Sequence, residues 1–378
     1  MHLVLREWEG GTKTISSSAF TQARAKFKHT AFIELLEKAV INVMYKDGNY
    51  ERYKGYRLLA LDGSSLRLPN TAEIRAKFGV ITHLNGNRTD HSAQVEAKAT
   101  VLYDALNKIP ISAMLHKGRS SDRVASKIHL PLLEKKDILI ADRGFGSYQF
   151  FAEIISQKAN FIIRCREKLH PMIDAMFKDE SCKETVCELL SPKQVSLLKS
   201  FPKKLSIRLI RIPLDSGEVE VLATSLMDKE TFPYLEFKKL YFKRWKIETY
   251  FNVLKSRLCI DNFTGKTVEA VYQDFYSTIF VSGFETIVTA QANEALDDKD
   301  TEHRYQVNKA ISFHAIKSKV VEMIFDPPPD FDEQLLNLFM LNPTAIRENR
   351  PSPPRSHTIK GPNRRSLFFQ RYYKKHIF

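Results

Sequence analysis

Residues 238–258 read KKLYFKRWKIETYFNVLKSRL. No proline or glycine interrupts them, and at about 100° per residue Leu240, Ile247, Phe251, Leu254 and Leu258 gather on one face of a helix. Arg244, Glu248 and Lys255 fall within a wedge of roughly 60° that begins at Tyr241, at the edge of that apolar face. The pattern predicts one helix from about Tyr234 to Leu258 with a single carboxylate set in a cationic stripe. Glu248 has two accounts. It is an i,i+4 partner of Arg244 worth about 0.3–0.5 kcal/mol, or it reaches into a cleft.

Two aspartates bear on the choice. The segment YRLLALDGSS reads as an apolar strand that enters a turn at Asp62 and Gly63, and DILIADRGFGSY reads as a buried strand that ends at Asp142 in a glycine-rich turn. Ends of strands are where α/β proteins place their chemistry. Each aspartate taken singly is more simply a turn former or a helix cap. Taken with Glu248, two aspartates on adjacent strands make an all-oxygen donor set suited to Mg²⁺, which keeps several waters and shares phosphate oxygens with a substrate.

Working outward, two helical patterns open the chain, from Ser17 to Lys28 and from Thr30 to Tyr45. The segments AQVEAKATVLYDAL and KIPISAMLHKG predict two strands joined by a hairpin, SSDRVASKIHLPLLEK has helical spacing, and FIIRC is a further strand. This order points to a mixed sheet flanked by helices. Between about Lys168 and Pro233 the rhythm changes, and LSIRLIRIPLDSGEVEVLATSL alternates on either side of a DSGE turn as a β-hairpin does. Helices are predicted again over Val268–Leu296 and Tyr305–Phe325. The expected organisation is a helical N-terminal region over 1–50, a catalytic domain over 51–265 with a β-rich insertion at about 168–233, a helical region over 266–345, and a basic irregular tail over 346–378.

Composition narrows the partners. Lys and Arg number 58 against 44 Asp and Glu, a formal charge of +14, which attracts a polyanion and makes nucleic acid the first partner to consider. The tail combines Arg350, Arg355, Lys360, Arg364, Arg365 and Arg371 with Phe368, Tyr372 and Tyr373, a mixture that suits nucleic acid as well as it suits a solubilising arm. Four cysteines without CxxC spacing exclude a disulfide scaffold and a zinc module and fit a reducing cytosol. The N-terminus MHLVLREWEGG has no signal-peptide core, and FYSTIFVSGFETIVTA is short and carries Glu285, so no membrane segment is expected.

Tyr241, Arg244, Glu248 and Lys255 together spell Y-x2-R-x3-E-x6-K. This resembles the YREK signature of bacterial insertion-sequence DDE transposases, the group that includes the hairpin-forming cut-and-paste elements. LDGSSLRLP around Asp62 and IADRGFGSY around Asp142 are similar to the first and second acidic motifs of that family, in the same order. The resemblance implies a ribonuclease H-like mixed sheet with Asp62, Asp142 and Glu248 as catalytic and metal-binding residues. It implies Mg²⁺, with Mn²⁺ able to substitute, and DNA contacts from Tyr241, Arg244 and Lys255. Arg143, beside the second aspartate, either approaches DNA or pairs with a nearby carboxylate. The implied partners are terminal repeats and target DNA, held by a homodimer on synapsed ends in the bacterial cytoplasm and nucleoid. Hairpin-forming members stack an extruded base on a tryptophan in the insertion. Here the tryptophans are Trp8 and Trp245, so Phe201, Phe232 or Tyr234 would have to serve. Two further readings stay open: a ribonuclease H-like nuclease without strand transfer, and a catalytically silent DNA-binding remnant.

Overall fold

The computed structural model describes residues 3–6, 12–83, 92–192, 201–325 and 327–346. Trp8 and the basic tail from Arg347 to Lys375 lie outside the described residues.

Eight strands form the central sheet: β1 Arg57–Arg67, β2 Glu96–Asp104, β3 Ile109–Lys117, β4 Asp137–Ala141, β5 Asn160–Cys165, β6 Glu184–Leu190, β7 Lys204–Pro213 and β8 Val219–Thr224. Their order across the sheet is β6-β7-β8-β5-β4-β1-β2-β3. β1 pairs antiparallel with β2 and β2 with β3, whereas β1 with β4 and β4 with β5 are parallel. That is the ribonuclease H-like arrangement implied by the resemblance. The β-rich stretch after β5 continues the same sheet, because β8 pairs antiparallel with β5 and carries β7 and β6 outward.

The sequence explains the strands. DILIA of β4 is buried at all five positions, the continuous apolar run expected of a parallel strand covered on both faces. The β2–β3 hairpin closes through Asp104, whose Oδ1 accepts the backbone N–H groups of Leu106 (2.9 Å) and Asn107 (3.0 Å), with Lys108 at φ 58°. A short polar side chain that bonds the backbone just ahead is the mechanism of such turns.

The helices cover the two faces. α1 Ser17–Lys26, α2 Thr30–Leu36, α3 Asn42–Tyr45, α4 Asp122–Ser126, α5 Tyr148–Ser156, α6 Glu236–Phe242, α7 Trp245–Ser256, α8 Val268–Val288, α9 Ala290–Asp297, α10 Lys309–Phe325 and α11 Phe331–Leu341 follow the chain. Leu58, Ala60 and Leu66 of β1 point to one face and share a core with Ile247, Phe251 and Leu254 of α7 and Phe275 of α8. Leu59 and Leu61 point to the other and meet Phe150 and Phe151 of α5. Each fully buried Leu, Ile or Phe contributes about 1.5–3 kcal/mol, so the period-two alternation of β1 fixes which face holds which helix. Arg24 of α1 donates to Gln273 (2.6 Å) and Asp274 (3.0 Å), which ties the N-terminal helices to α8.

Four expectations are corrected. Asp62 and Gly63 form no turn: β1 runs through them, paired as Asp62↔Val101 and Gly63↔Thr100, because β2 continues alongside and satisfies the backbone as far as Arg67↔Glu96. The predicted helix over Tyr234–Leu258 is two helices, α6 and α7, parted at Lys243 and Arg244. There the N–H groups of Lys243 (3.2 Å) and Arg244 (2.9 Å) bond to Leu240 and Tyr241 in tight i→i−3 fashion. The Val268–Leu296 helix is interrupted at Thr289, whose hydroxyl donates to the Glu285 carbonyl (2.8 Å), a back-bond that bends helices. The last predicted helix starts at Lys309, since Tyr305 and Gln306 pair with Ala345 and Thr344 as strands.

One buried cation joins the outer strands to the rest. Arg208 of β7 is 0% exposed; it pairs with Glu184, donates to the Phe232 carbonyl (2.8 Å) and lies 5.1 Å from the Phe237 ring centroid of α6. Removing one partner of a buried pair leaves an uncompensated charge. Arg208→Ala is therefore expected to lose about 3–5 kcal/mol in urea unfolding, against less than about 0.5 kcal/mol for Lys204→Ala, whose partner Glu188 is as exposed as itself.

Candidate active site

β4 pairs with β1 only from Arg57↔Asp137 to Leu61↔Ala141. Asp62 is the next residue of β1 and Asp142 the next after β4, so the two aspartates sit side by side where the parallel pairing ends. Asp62 stays in the ladder with β2, and its Oδ1 accepts the N–H of Gly63 (2.8 Å). Asp142 leads into the turn, its Oδ1 accepting the N–H of Gly144 (2.9 Å). Burial pushes the Asp62 carboxyl up to about 7; the charges of Asp142 and Asp122 push the same way, while the Gly63 N–H and Arg244 hold it down.

Asp62 shares its face of β1 with Ala60 and Leu66, the side on which α7 packs. The break between α6 and α7 places Arg244 at the mouth of that packing, 8% exposed. Its Nη1 meets Glu248 Oε1 at 2.8 Å, and its guanidinium lies 4.8 Å from the Trp245 ring centroid and 5.8 Å from that of Tyr241. The i,i+4 pair seen in the sequence does form, but with a buried arginine rather than on an open helix surface.

Tyr241 is 5% exposed, and burial raises its hydroxyl, which stays protonated and able to donate. The charges it meets include Arg244, Glu220, Arg164 and Asp142, and Arg164 is itself paired to Glu220 at 2.9 Å. Lys255, exposed at the far end of α7, donates to the Ser65 carbonyl at 3.4 Å. Arg143 is exposed beside Asp142 and has no ion pair among the described residues.

The structure thus gathers Asp62, Asp142, Tyr241 and Arg244 into one electrostatic neighbourhood, with Glu248 attached through Arg244 and Lys255 laid along β1. Among the described residues, no three of Asp, Glu, His and Cys converge closely enough to hold an ion unaided. The donor chemistry nevertheless suits a hard dication. Burial and the adjacent Asp142 raise Asp62 because too little positive charge stands nearby, which is the deficit such an ion would offset.

The model of the transposase DDE domain family matches residues 53–282, more than half of the chain and all of this site. The chain belongs to the DDE transposase family. No curated protein matches the sequence. Among solved structures the chain is similar to a piggyBac transposase, in a synaptic complex with hairpin DNA. The identity is 11% and the TM-score 0.41, over 80% of this chain and 60% of that one. No helix among the described residues is long and apolar enough to cross a membrane.

Sequence reasoning missed part of this candidate site. Asp122 opens α4 behind the cap Ser121 and so reads as an ordinary first-turn acid. In the fold it pairs with Lys98 at 3.0 Å, and a Cβ at Gly63 would collide with its Oδ1. The signal available was the glycine directly after Asp62. The aromatic stand-ins fare poorly. Phe232 is buried beside Tyr53 and Tyr56, Tyr234 donates its hydroxyl to the Arg211 carbonyl (2.7 Å), and Phe201 packs on the second core. Phe242 at 68% and Trp245 at 46% exposure stand open instead, on either side of Arg244.

The raised Asp62 carboxyl has a signed consequence. In the unfolded chain an aspartate titrates near 3.9, and in the fold near 7, so between those values the native state holds the extra proton and stability falls as pH rises. The metal-free protein should lose up to about 4 kcal/mol through this window. Asp62→Asn should flatten that limb of a melting temperature against pH curve and leave the protein more stable than wild type at pH 8.

Proposed function

We propose that the chain is a transposase of the YREK group that cuts insertion-sequence ends and joins them to target DNA. The observation that carries this reading is the end of the β1–β4 pairing at Asp62 and Asp142 with the Arg244–Glu248 helix packed on the same face.

Asp62, Asp142 and Glu248 would hold the divalent ions, Mg²⁺ or Mn²⁺. Bound there, the metal supplies Lewis-acid activation of the attacking oxygen and stabilisation of the leaving one. The remaining work falls to the chain's own side chains. β1 keeps Asp62 in a ladder rather than a loop, so the carboxylate does not wander. Arg244, fixed between two rings and Glu248, orients the third acid and presents buried positive charge to the scissile phosphate. Lys255 and Arg143, both exposed, take flanking phosphates, and the protonated Tyr241 hydroxyl donates one hydrogen bond from beneath. Holding the DNA end in this way supplies rate by positioning. Hydrolysis at the transposon end frees a 3′ hydroxyl, which attacks either the opposite strand or a target phosphodiester. Two protomers acting on synapsed ends would restrict cutting to paired ends.

The test uses purified protein, a labelled duplex of the DNA that flanks its gene, and a denaturing gel with and without Mg²⁺. Wild type should nick at one discrete position only with metal, and Glu248→Ala should cut at least about 100-fold more slowly while still retarding the duplex. Nicking by Glu248→Ala at the wild-type rate refutes the triad. Wild-type protein that retards but never cuts is a silent DNA-binding remnant.

A further inference from the structure

The parallel pairing that ends at the two aspartates begins at a buried ion pair. Arg57 opens β1 and Asp137 opens β4, and the ladder sets them opposite one another. Arg57 Nε donates to Asp137 Oδ1 at 2.7 Å and its Nη2 to Oδ2 at 2.8 Å, a two-pronged contact, and Oδ2 also accepts the N–H of Glu134 (2.7 Å). Asp137 is 0% exposed and Arg57 9%, and the guanidinium lies 5.2 Å from the Tyr45 ring centroid. Asp62 stands five residues beyond Arg57, and Asp142 five beyond Asp137.

Between these polar ends the strands offer little to choose a register. Residues 58–61 are LLAL and residues 138–141 are ILIA, none more than 1% exposed. A strand covered on both faces by apolar side chains can slide by a residue and still bury aliphatic groups above and below. The backbone bonds of a parallel ladder are evenly spaced and re-form in the new register. Such a slip moves Asp142 about 3.3 Å along β1 relative to Asp62, too far for two carboxylates to share an ion held at about 2.0–2.1 Å. The Arg57–Asp137 contact opposes it, because a slide takes the carboxylate out of the fork and leaves two buried charges unpaired.

A buried ion pair is a poor source of stability, since apolar residues of similar volume serve as well or better, and the selection of one register is its best-attested use. We propose that Arg57 and Asp137 are positioning residues for the candidate active site: by fixing the register of β1 on β4 at one end, they set the separation of Asp62 and Asp142 at the other. The inference rests on the reading of the two aspartates as ligands of one divalent-ion site and adds the pair that aligns them.

The experiment compares the full chain as wild type, Arg57→Met/Asp137→Leu and Arg57→Gln/Asp137→Asn. Urea unfolding of the metal-free proteins reads stability, and electron paramagnetic resonance of free Mn²⁺ reads metal affinity without DNA or turnover. The apolar double variant should unfold cooperatively at a urea midpoint no lower than that of wild type. It should nevertheless bind Mn²⁺ at least about tenfold more weakly and nick the flanking duplex about 100-fold more slowly. The amide double variant keeps complementary donors and acceptors across the two strands, and with them the register, so it should recover most of the Mn²⁺ affinity. A pair that serves stability alone gives the reverse pattern. An apolar variant that unfolds at a lower midpoint, or that binds Mn²⁺ as wild type does, overturns the inference, and so does an amide variant that binds no tighter than the apolar one. Wild type that binds no Mn²⁺ removes the metal site itself and the inference with it. Equal Mn²⁺ affinity in wild type and the apolar variant removes only the inference.

Discussion

β1 has eleven residues and β4 five, and the two begin in register at Arg57 and Asp137. Their difference in length is what opens the site. Past Leu61↔Ala141 the longer strand keeps its partner on one side only, and the first residue of each beyond the last pair is an aspartate. Neighbouring strands lie about 4.8 Å apart, so the two carboxylates are brought together by the backbone ladder rather than by side-chain choice. Asp62 gains more from this than Asp142 does, because it remains hydrogen-bonded into β2 while the other enters a turn.

Burial in a poorly solvated notch raises Asp62 to about 7, and repulsion from the carboxylate of Asp142 adds to the rise. The helix that answers this charge is placed by its apolar side. Ile247, Phe251 and Leu254 seat α7 on β1, and the stripe at the margin of that face then falls toward the open edge of the strand without needing contacts of its own. The break at Lys243 and Arg244 refines the placement. An arginine at the start of α7 can lie between the rings of Tyr241 and Trp245, where its charge is shared by Glu248 and felt by Asp62.

The fold was legible in the sequence to the extent that its signals were local. Runs such as DILIA and FIIRC, the hairpin around DALNKIP and the apolar face of residues 245–256 each carry their own period, and the structure holds them as elements. What failed had its cause elsewhere in the chain. Asp62–Gly63 looks like a turn until β2 is present to pair with it. The interruption at Lys243 and Arg244 has no glycine or proline to announce it. The neighbourhood of Asp62 was legible through a spaced signature, whereas Asp122 was not, since it reads as a helix start. Its approach to Gly63 exists only once distant segments are packed.

The same view accounts for the extra strands between the second and third acids. A long excursion at that point would displace α7 if it hung from the sheet as a separate lobe. Here β6, β7 and β8 lengthen the sheet itself, β8 pairing directly with β5, so the detour leaves from and returns to one rigid surface. The return is locked by Arg208, which faces inward from β7 to the Phe232 carbonyl and the Phe237 ring, the two points between which the chain turns into α6. Its charge is met by Glu184 on β6, so the outermost strand of the insertion and the entry to α6 meet at one buried arginine. Damage to the insertion would be felt at Arg244 through that contact, although no strand of the insertion carries one of the three acids.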